Sequence, residues 1–189
     1  PIIKIKYLFF IFFNKKNNIN DFINLISKNY KSYKLFSNSS WSLIFICLLR
    51  KYLFNKNKIT VYFPNYYCDE ALNQIRSSNF VELLFYNVDF DLRPNLDDLN
   101  NKFKIKPPDL LVISHYFDFR NDLSVFKNLS ILNNNWLIED ATHCLIEDNL
   151  VGRNSDFVLF SPYKWLGTNN GAILYAKENG PSKFKTNKK

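Results

Sequence analysis

Glycine is scarce in this sequence, with four residues among 189. The nucleotide-binding loops of P-loop and dinucleotide-binding proteins need several glycines, because the backbone must approach the phosphates closely. Neither G-x-x-x-x-G-K-S/T nor G-x-G-x-x-G occurs in the chain. Both kinds of glycine-rich nucleotide cradle are therefore excluded.

Cysteine and histidine are also few, and their positions exclude a metal site. Cys47, Cys68 and Cys144 form no C-x-x-C pair and have no metal-ligand spacing with the two histidines. An odd number of cysteines in a chain long enough to bury a core indicates reduced thiols, so we expect a cytoplasmic protein. Methionine is absent, so Pro1 is not an initiator residue, and we expect the chain to be a fragment of a longer protein.

Long apolar segments and clustered charges are missing as well. The apolar run Tyr7–Phe13 is too short to span a bilayer and lacks a small-residue cleavage site, so neither membrane association nor export is expected. The formal net charge of +8 favours an anionic partner. Because the lysines are scattered and form no basic stripe, we expect no nucleic acid, and a solvated lysine-rich surface is the favoured account of the charge. A phosphorylated cofactor and a nucleotide-linked substrate would also suit a positive field.

The sequence does contain an alternation of helices and strands from about residue 41 to residue 176. This order predicts an α/β fold of three layers, a mostly parallel sheet with helices on both faces. We assign 1–35 to an N-terminal segment with room for one helix at Asp21–Ile26, 36–177 to a large domain, and 178–189 to a basic, disordered tail. The first helix predicted in the large domain is Leu43–Leu53. The predicted strands are Ile59–Phe63, Val81–Tyr86, Leu110–Ser114, Trp136–Ile138, Asp156–Phe160 and one more that ends near residue 176.

Two of these strands end in chemically active residues. Asp140 closely follows Trp136–Ile138, and Lys164 lies just beyond Asp156–Phe160. If the strands are neighbours, the carboxylate and the amine meet in one crevice at the carboxyl ends of the sheet, as pyridoxal phosphate (PLP) requires. Spacing alone favours a second interpretation, in which the aspartate caps a turn and the lysine is a solvated charge.

Two further stretches have alternative interpretations. Ser39, Ser40 and Ser42 stand at the start of the apolar helix, where they could bind an anion or serve as an ordinary cap. Tyr66 and Tyr67 follow the strand Ile59–Phe63, where one ring could stack on an aromatic ligand or simply pack against Trp41.

The segments IEDATH, SHYFDF and SDFVLFSPYKWLGTNNGAILY resemble the DegT/StrS family of PLP-dependent sugar aminotransferases, which have fold type I. The resemblance covers about residues 36–177 and implies PLP as cofactor, with Lys164 attached to it and Asp140 paired with its ring nitrogen. Ser40, Asp118 and Ser155 stand where the family usually has glycine. The remaining site residues implied by the resemblance are His143 near the ring, Tyr67 stacked on it, and Ser39, Ser40, Ser42 and Ser161 on the phosphate, while His115 shapes the pocket wall.

The resemblance also implies the reaction. An amino group would pass from an amino acid, usually glutamate, to a keto sugar on a nucleotide carrier during polysaccharide or amino-sugar biosynthesis. The family forms homodimers and has a second domain after the lysine, and we expect the present sequence to be a fragment without that domain. Two alternatives stay open: a non-catalytic or regulatory remnant of the fold, and another fold-type I enzyme. Family dehydratases have histidine in place of the lysine, so Lys164 favours the aminotransferase.

Overall fold

The computed structural model describes residues 32–144, 150–166, 169–177 and 180. The helix predicted at Asp21–Ile26, the apolar run Tyr7–Phe13 and all of the predicted tail except Gly180 lie outside the described residues. Within the described part of the chain, every helix is too short or too polar to cross a membrane.

Strands and helices alternate along most of the described chain, as the sequence predicted. The strands are β1 (Ser32–Phe36), β2 (Ile59–Pro64), β3 (Val81–Tyr86), β4 (Leu110–Ser114), β5 (Trp136–Asp140), β6 (Phe157–Phe160) and β7 (Ala172–Ala176). The helices are α1 (Ser39–Leu53), α2 (Asn73–Arg76), α3 (Leu96–Ile105), α4 (Ser124–Leu132) and α5 (Tyr163–Leu166), with a 3₁₀ turn at Glu70–Leu72.

All seven strands form one sheet in the order β1-β7-β6-β5-β4-β2-β3. The five strands from β6 to β3 are parallel, and β7 is antiparallel to both of its neighbours. The predicted mostly parallel α/β sheet is therefore confirmed. Strand β1 was not predicted, because Ser32–Phe36 is an edge strand with no fully buried residue and so lacks an apolar signature.

Side chains of the central strands alternate between two hydrophobic cores. Leu110 and Val112 of β4 pack on the side of α1, whereas Leu111 and Ile113 pack on the side of α3 and α4. A strand buried on both faces is continuously apolar, which is why β4 was recognisable from its sequence. The result is the predicted arrangement of three layers.

Charged residues close the amino ends of the strands. Asp109 accepts the backbone N–H of Thr60 at 3.0 Å and forms ion pairs with Lys56 and Arg50. Arg50 is buried in α1, with its guanidinium carbon 3.7 Å from the centre of the Phe54 ring. Burial lowers the pKa of Arg50 and the charge of Asp109 opposes this effect. Asp109 thus connects β2, β4 and α1 through its hydrogen bond and its ion pairs.

We predict that Arg50→Leu destabilises the fold by about 3 kcal/mol, because it leaves the Asp109 carboxylate buried with one cation fewer. Urea unfolding would measure the loss. Lys51→Leu removes a charge from the neighbouring position of the same helix and is expected to change stability by under about 1 kcal/mol. Equal effects of the two substitutions would contradict a structural role for the Arg50 ion pair.

Candidate functional site

A cavity of about 270 Å³ opens at the carboxyl ends of β2, β4 and β5. Open α/β sheets bind ligands at this edge. Helix α1 begins on one side of the cavity and α5 lies on another. The lining residues are Asn38, Ser39, Ser40, Tyr67, Cys68, Glu70, Ala71, Asn73, Gln74, Ser114, His115, Tyr116, Asp140, Thr142, His143, Tyr163, Lys164 and Asn170.

Asp140 ends β5 and presents its carboxylate to the cavity. Its Oδ2 accepts the Tyr67 hydroxyl at 2.6 Å, and its Oδ1 accepts the Thr142 backbone N–H at 2.9 Å. Burial, and then the charge of Asp140, raise the pKa of Tyr67 well above its usual value, so the phenol is a neutral donor. Both donors are neutral, and among the described residues Asp140 forms no ion pair. Its negative charge therefore faces the cavity without a cation.

Lys164 lies in the short helix α5, just after β6. Its backbone N–H donates to the Ser161 carbonyl at 3.2 Å, so the turn after the strand places the side chain at the cavity. The amine is exposed and lies 3.3 Å from Nε2 of His143. Within the described residues it forms no ion pair with a carboxylate. The predicted meeting of Asp140 and Lys164 in one cavity is what the structure shows.

His143 follows β5 and lines the cavity together with Asp140 and Lys164. Its ring stacks on Phe117, with 5.5 Å between ring centres and an angle of 14° between planes. Partial burial lowers the pKa of His143, the Lys164 charge lowers it further, and Asp140 opposes both effects. The imidazole is therefore neutral at neutral pH and can accept a hydrogen bond from the lysine.

The structure separates the four serines predicted to bind phosphate. Ser39 and Ser40 line the cavity at the start of α1, and the Ser40 hydroxyl accepts the backbone N–H of Gln74 at 3.1 Å. Ser42 is fully buried, with its hydroxyl 3.5 Å from the Asn38 carbonyl, and it does not border the cavity. Ser161 is also fully buried outside the lining, with its Oγ 3.4 Å from Thr142 Oγ1.

Tyr67 lines the cavity, where the sequence predicted that its ring would stack on a ligand. The structure shows a hydrogen bond from its hydroxyl that the sequence did not predict. The hydroxyl reaches Asp140, while the ring is tilted against Phe63 at 4.8 Å between centres. Tyr66 is exposed and lies against Tyr116. The only hint in the sequence was a pair of tyrosines directly after a strand, at the edge where the acid of β5 also ends.

A buried hydrogen-bond network behind the cavity was missed altogether. Glu139, next to Asp140 in β5, points to the opposite face and is fully buried. Its Oε1 lies 2.7 Å from Nε2 of His115, and its Oε2 accepts the Gly152 N–H and the Ser155 hydroxyl, both at 2.7 Å. Glu139 thus ties the ends of β4 and β5 to the segment that precedes β6.

The histidine of this network has a defined tautomer. The backbone N–H of Asn121 donates to Nδ1 of His115 at 3.1 Å, so Nδ1 carries no proton and Nε2–H donates to Glu139. The backbone N–H of His115 donates to the carbonyl of Asp140 at 3.0 Å. His115 therefore shapes the cavity wall, as predicted, and also holds the backbone at Asp140.

No metal centre is evident in the described part of the chain, where no three potential ligands cluster. All three cysteines are free, and burial raises the pKa of Cys144 to about 12. The ionisable side chains that line the cavity include those of Lys164, Asp140, His143, Cys68 and Glu70.

No family model and no curated protein sequence matches the chain. Solved structures do match it. The aminotransferase TlmJ from Streptoalloteichus hindustanus has a TM-score of 0.68 and 20% identity over 86% of this chain and 44% of that one. Helicobacter pylori PseC, an aminotransferase involved in the biosynthesis of pseudoaminic acid, has a TM-score of 0.64 and 14% identity over 79% and 41%.

The E. coli GDP-4-keto-6-deoxy-D-mannose-3-dehydratase with bound hydrated PLP has a TM-score of 0.67 and 10% identity, covering 84% of this chain and 42% of that one. The fold is shared with these enzymes. The chain spans about four-tenths of the length of each of the three. The predicted α/β fold, with a mostly parallel sheet, is thereby confirmed.

We predict that Glu139→Gln lowers the free energy of unfolding by about 2 kcal/mol or more. The amide has one acceptor oxygen for three donors, and its NH₂ group would face the Nε2–H of the His115 ring, which is also a donor. Chemical denaturation would measure the change. Glu82→Gln, at the half-exposed ion pair with Lys106, is the matched control and should change stability by under about 1 kcal/mol. A Glu139 variant as stable as the Glu82 variant would disprove the bracing role.

Proposed function

We propose that this chain is the cofactor-binding part of a PLP-dependent aminotransferase. The observation that carries the proposal is the placement of Asp140 and Lys164 on one cavity, with neither of them in an ion pair among the described residues. A charge that only stabilised the fold would be paired, as Asp109 is at the opposite edge of the sheet.

The cavity offers a counterpart for each functional part of PLP. Asp140 fits a protonated ring nitrogen, and the amine of Lys164 fits the aldehyde carbon. The start of α1 fits the phosphate, because a 15-residue helix has a positive amino end, its first turn contains no acidic side chain, and Ser39 and Ser40 face the cavity. When bound, PLP supplies a ring that accepts electrons from the substrate carbon.

The residues of the chain then have separate tasks. Lys164 would hold the cofactor, and its amine would serve as general base and acid at the substrate carbon. Asp140 would keep the ring nitrogen protonated, and Tyr67 and Thr142 hold the carboxylate in place. His143 is the polar neighbour of this amine, with its Nε2 3.3 Å from the Nζ of Lys164.

A keto sugar is the acceptor that best fits both the site and the sequence. The rim of the cavity contains several amide side chains, and amides both donate to and accept from hydroxyl groups. The resemblance to the DegT/StrS family adds glutamate as donor, a nucleotide carrier on the sugar, a homodimer and a cytoplasmic location. The dehydratase among the structural neighbours is named for a nucleotide-linked keto sugar. A nucleotide sugar as substrate would therefore suit this fold for more than one type of reaction. The amide residues of the rim are Asn38, Asn73, Gln74 and Asn170.

The first prediction from this proposal concerns covalent attachment. Incubation with PLP followed by borohydride reduction should link the cofactor to Lys164, which peptide mass spectrometry would identify. Lys164→Ala should abolish the adduct. Lys104→Ala, which removes an exposed lysine of α3, should not affect it. Labelling that is spread over many lysines, or that persists in Lys164→Ala, would refute the proposal.

The second prediction concerns Asp140. In the full-length protein, Asp140→Asn should retain bound PLP but slow the half-reaction with glutamate by about a hundredfold or more, because a neutral amide no longer stabilises the protonated ring nitrogen. The absorbance change of the cofactor would measure the rate. Asp122→Asn changes an acid outside the cavity and should leave the rate unaltered. A wild-type rate in Asp140→Asn would mean that this carboxylate does not act on the ring nitrogen.

A further inference from the structure

Three exposed aromatic residues lie beside the cavity at the carboxyl edge of the sheet. Tyr66 follows β2, and Phe117 and Phe119 belong to the turn after the neighbouring strand β4. Their exposed fractions are 56%, 61% and 70%, respectively. Single exposed apolar side chains are common, whereas a group of them marks a surface that binds something. These three residues form what we call the aromatic patch.

Contacts between the two loops join the aromatic patch to the cavity wall. The Tyr66 ring packs against Tyr116 with 5.5 Å between ring centres, and the Tyr116 hydroxyl donates to the Tyr66 carbonyl. The Phe117 ring stacks on the imidazole of His143, which lines the cavity. The patch is therefore continuous with the rim of the candidate site.

The turn that carries the two phenylalanines has an unfavourable backbone conformation. Phe117 has φ of 51° and Asp118 has φ of 68°, in the left-handed region that residues with a Cβ rarely adopt. Two hydrogen bonds hold the turn in this form: the Phe119 N–H donates to the Tyr116 carbonyl at 2.7 Å, and the Asp118 N–H donates to the His143 carbonyl at 3.1 Å. Enforced strain of this kind is concentrated at active sites and ligand contacts, so the exposed placement of Phe117 indicates a ligand.

The cavity is small for a site that would hold both a cofactor and a nucleotide-linked sugar. Its volume of about 270 Å³ lies below the usual range for ligand pockets, which is about 300–1,000 Å³. The cofactor and the reacting sugar would share this space. A nucleotide attached to the sugar would then lie on the surrounding surface, which the aromatic patch borders.

We propose that the aromatic patch binds the nucleobase of a nucleotide-linked sugar, with the base stacked on Phe117 and flanked by Phe119 and Tyr66. Every nucleobase has a flat π face, and stacking on an aromatic side chain adds affinity whichever base is present. With the base on the patch, the sugar extends into the cavity that holds Lys164. This inference rests on the proposed function for its substrate class, whereas base stacking can be tested without PLP.

The charges of the turn and of the whole chain agree with an anionic nucleotide. Asp118, the acidic residue of the turn, is paired with Arg120 at 2.9 Å, so its negative charge is compensated. The chain has a formal net charge of +8, which attracts anions. The overall field therefore favours a nucleoside diphosphate over an uncharged ligand of the same shape.

A second copy of the chain is the alternative occupant, and the size of the patch argues against it. An aromatic side chain offers about 150–250 Å² when fully exposed, so three rings exposed by about half to two thirds offer on the order of 400 Å². A stable dimer buries about 800 Å² on each partner. The aromatic patch thus matches a small planar group better than a protein surface.

Binding of nucleoside diphosphates to the full chain, measured by isothermal titration calorimetry, is the first test. UDP and GDP should both bind, and Phe117→Ala should weaken each by about fivefold or more, the factor expected for one lost stacking contact. Inorganic pyrophosphate has no base, so its affinity should not change. Phe117→Tyr should restore the affinity for UDP and GDP. Phe90→Ala, which removes a fully exposed phenylalanine of the turn after β3, is the matched control and should have no effect.

Proton nuclear magnetic resonance is the second test and shows where the base lies. The base protons of UDP should shift upfield on binding to the wild-type chain, because a base stacked on a phenyl ring lies in its ring current. Phe117→Ala should remove most of this shift, and Phe90→Ala should retain it. Addition of PLP should leave the shift in place, because the base lies outside the cavity.

The outcomes separate this inference from the proposed function. Equal affinity of UDP for wild type and Phe117→Ala, or no measurable binding of UDP, would overturn it even if borohydride attaches PLP to Lys164. Displacement of UDP by PLP would also overturn it, since the nucleotide would then occupy the cavity. If PLP is never attached but UDP binding depends on Phe117, the aromatic patch stands and the cofactor assignment fails. A Phe117→Ala chain that changes its oligomeric state in sedimentation, yet binds UDP as before, would assign the patch to a second copy.

Discussion

Two neighbouring carboxylates at the end of β5 point to opposite faces of the sheet, and the rest of the site depends on this alternation. Glu139 faces the side of α3 and α4, where three neutral donors satisfy it in a fully buried position. Asp140 faces the side of α1 and reaches the cavity. A shift of β5 by one residue would exchange the two faces. The pairing of β5 with β4 and β6 therefore decides which acid can meet a ligand.

The pairing of charges distinguishes the two edges of the sheet. At the amino ends, Asp109 and Asp156 each bind a backbone N–H of a neighbouring strand and the amine of a lysine. At the carboxyl ends, Asp140 and Lys164 hold only neutral partners among the described residues. Because an unpaired charge near a partly buried surface is unfavourable, natural proteins retain it mainly where a ligand or reaction uses it. The contrast within one sheet is the physical argument for a site.

Most of the fold, and the placement of Asp140 and Lys164 on one cavity, followed from local sequence patterns. The cofactor role of these two residues came from the family resemblance, because spacing alone favoured a turn cap and a solvated charge. Apolar runs such as Leu110–Ser114 reveal central strands, and a charge directly after such a run lies at the carboxyl edge. The bond from Tyr67 to Asp140 joins residues 73 positions apart and depends on side-chain directions that no local pattern records. The hydrogen bond from Ser155 to Glu139 likewise depends on side-chain directions that no local pattern records. Ser42 was misplaced for a related reason, since a run of serines does not show which hydroxyl faces outward.

Ser40, Asp118 and Ser155 stand where the family that the sequence resembles usually has glycine, and the contacts of the last two are informative. Ser155 replaces a glycine, and its hydroxyl became one of the three donors to Glu139. Asp118 replaces another, keeps the left-handed backbone of a glycine, and forms two contacts that hold it there, to His143 and to Arg120. Both side chains therefore have defined partners in the structure, so neither position is left with an unsatisfied polar group.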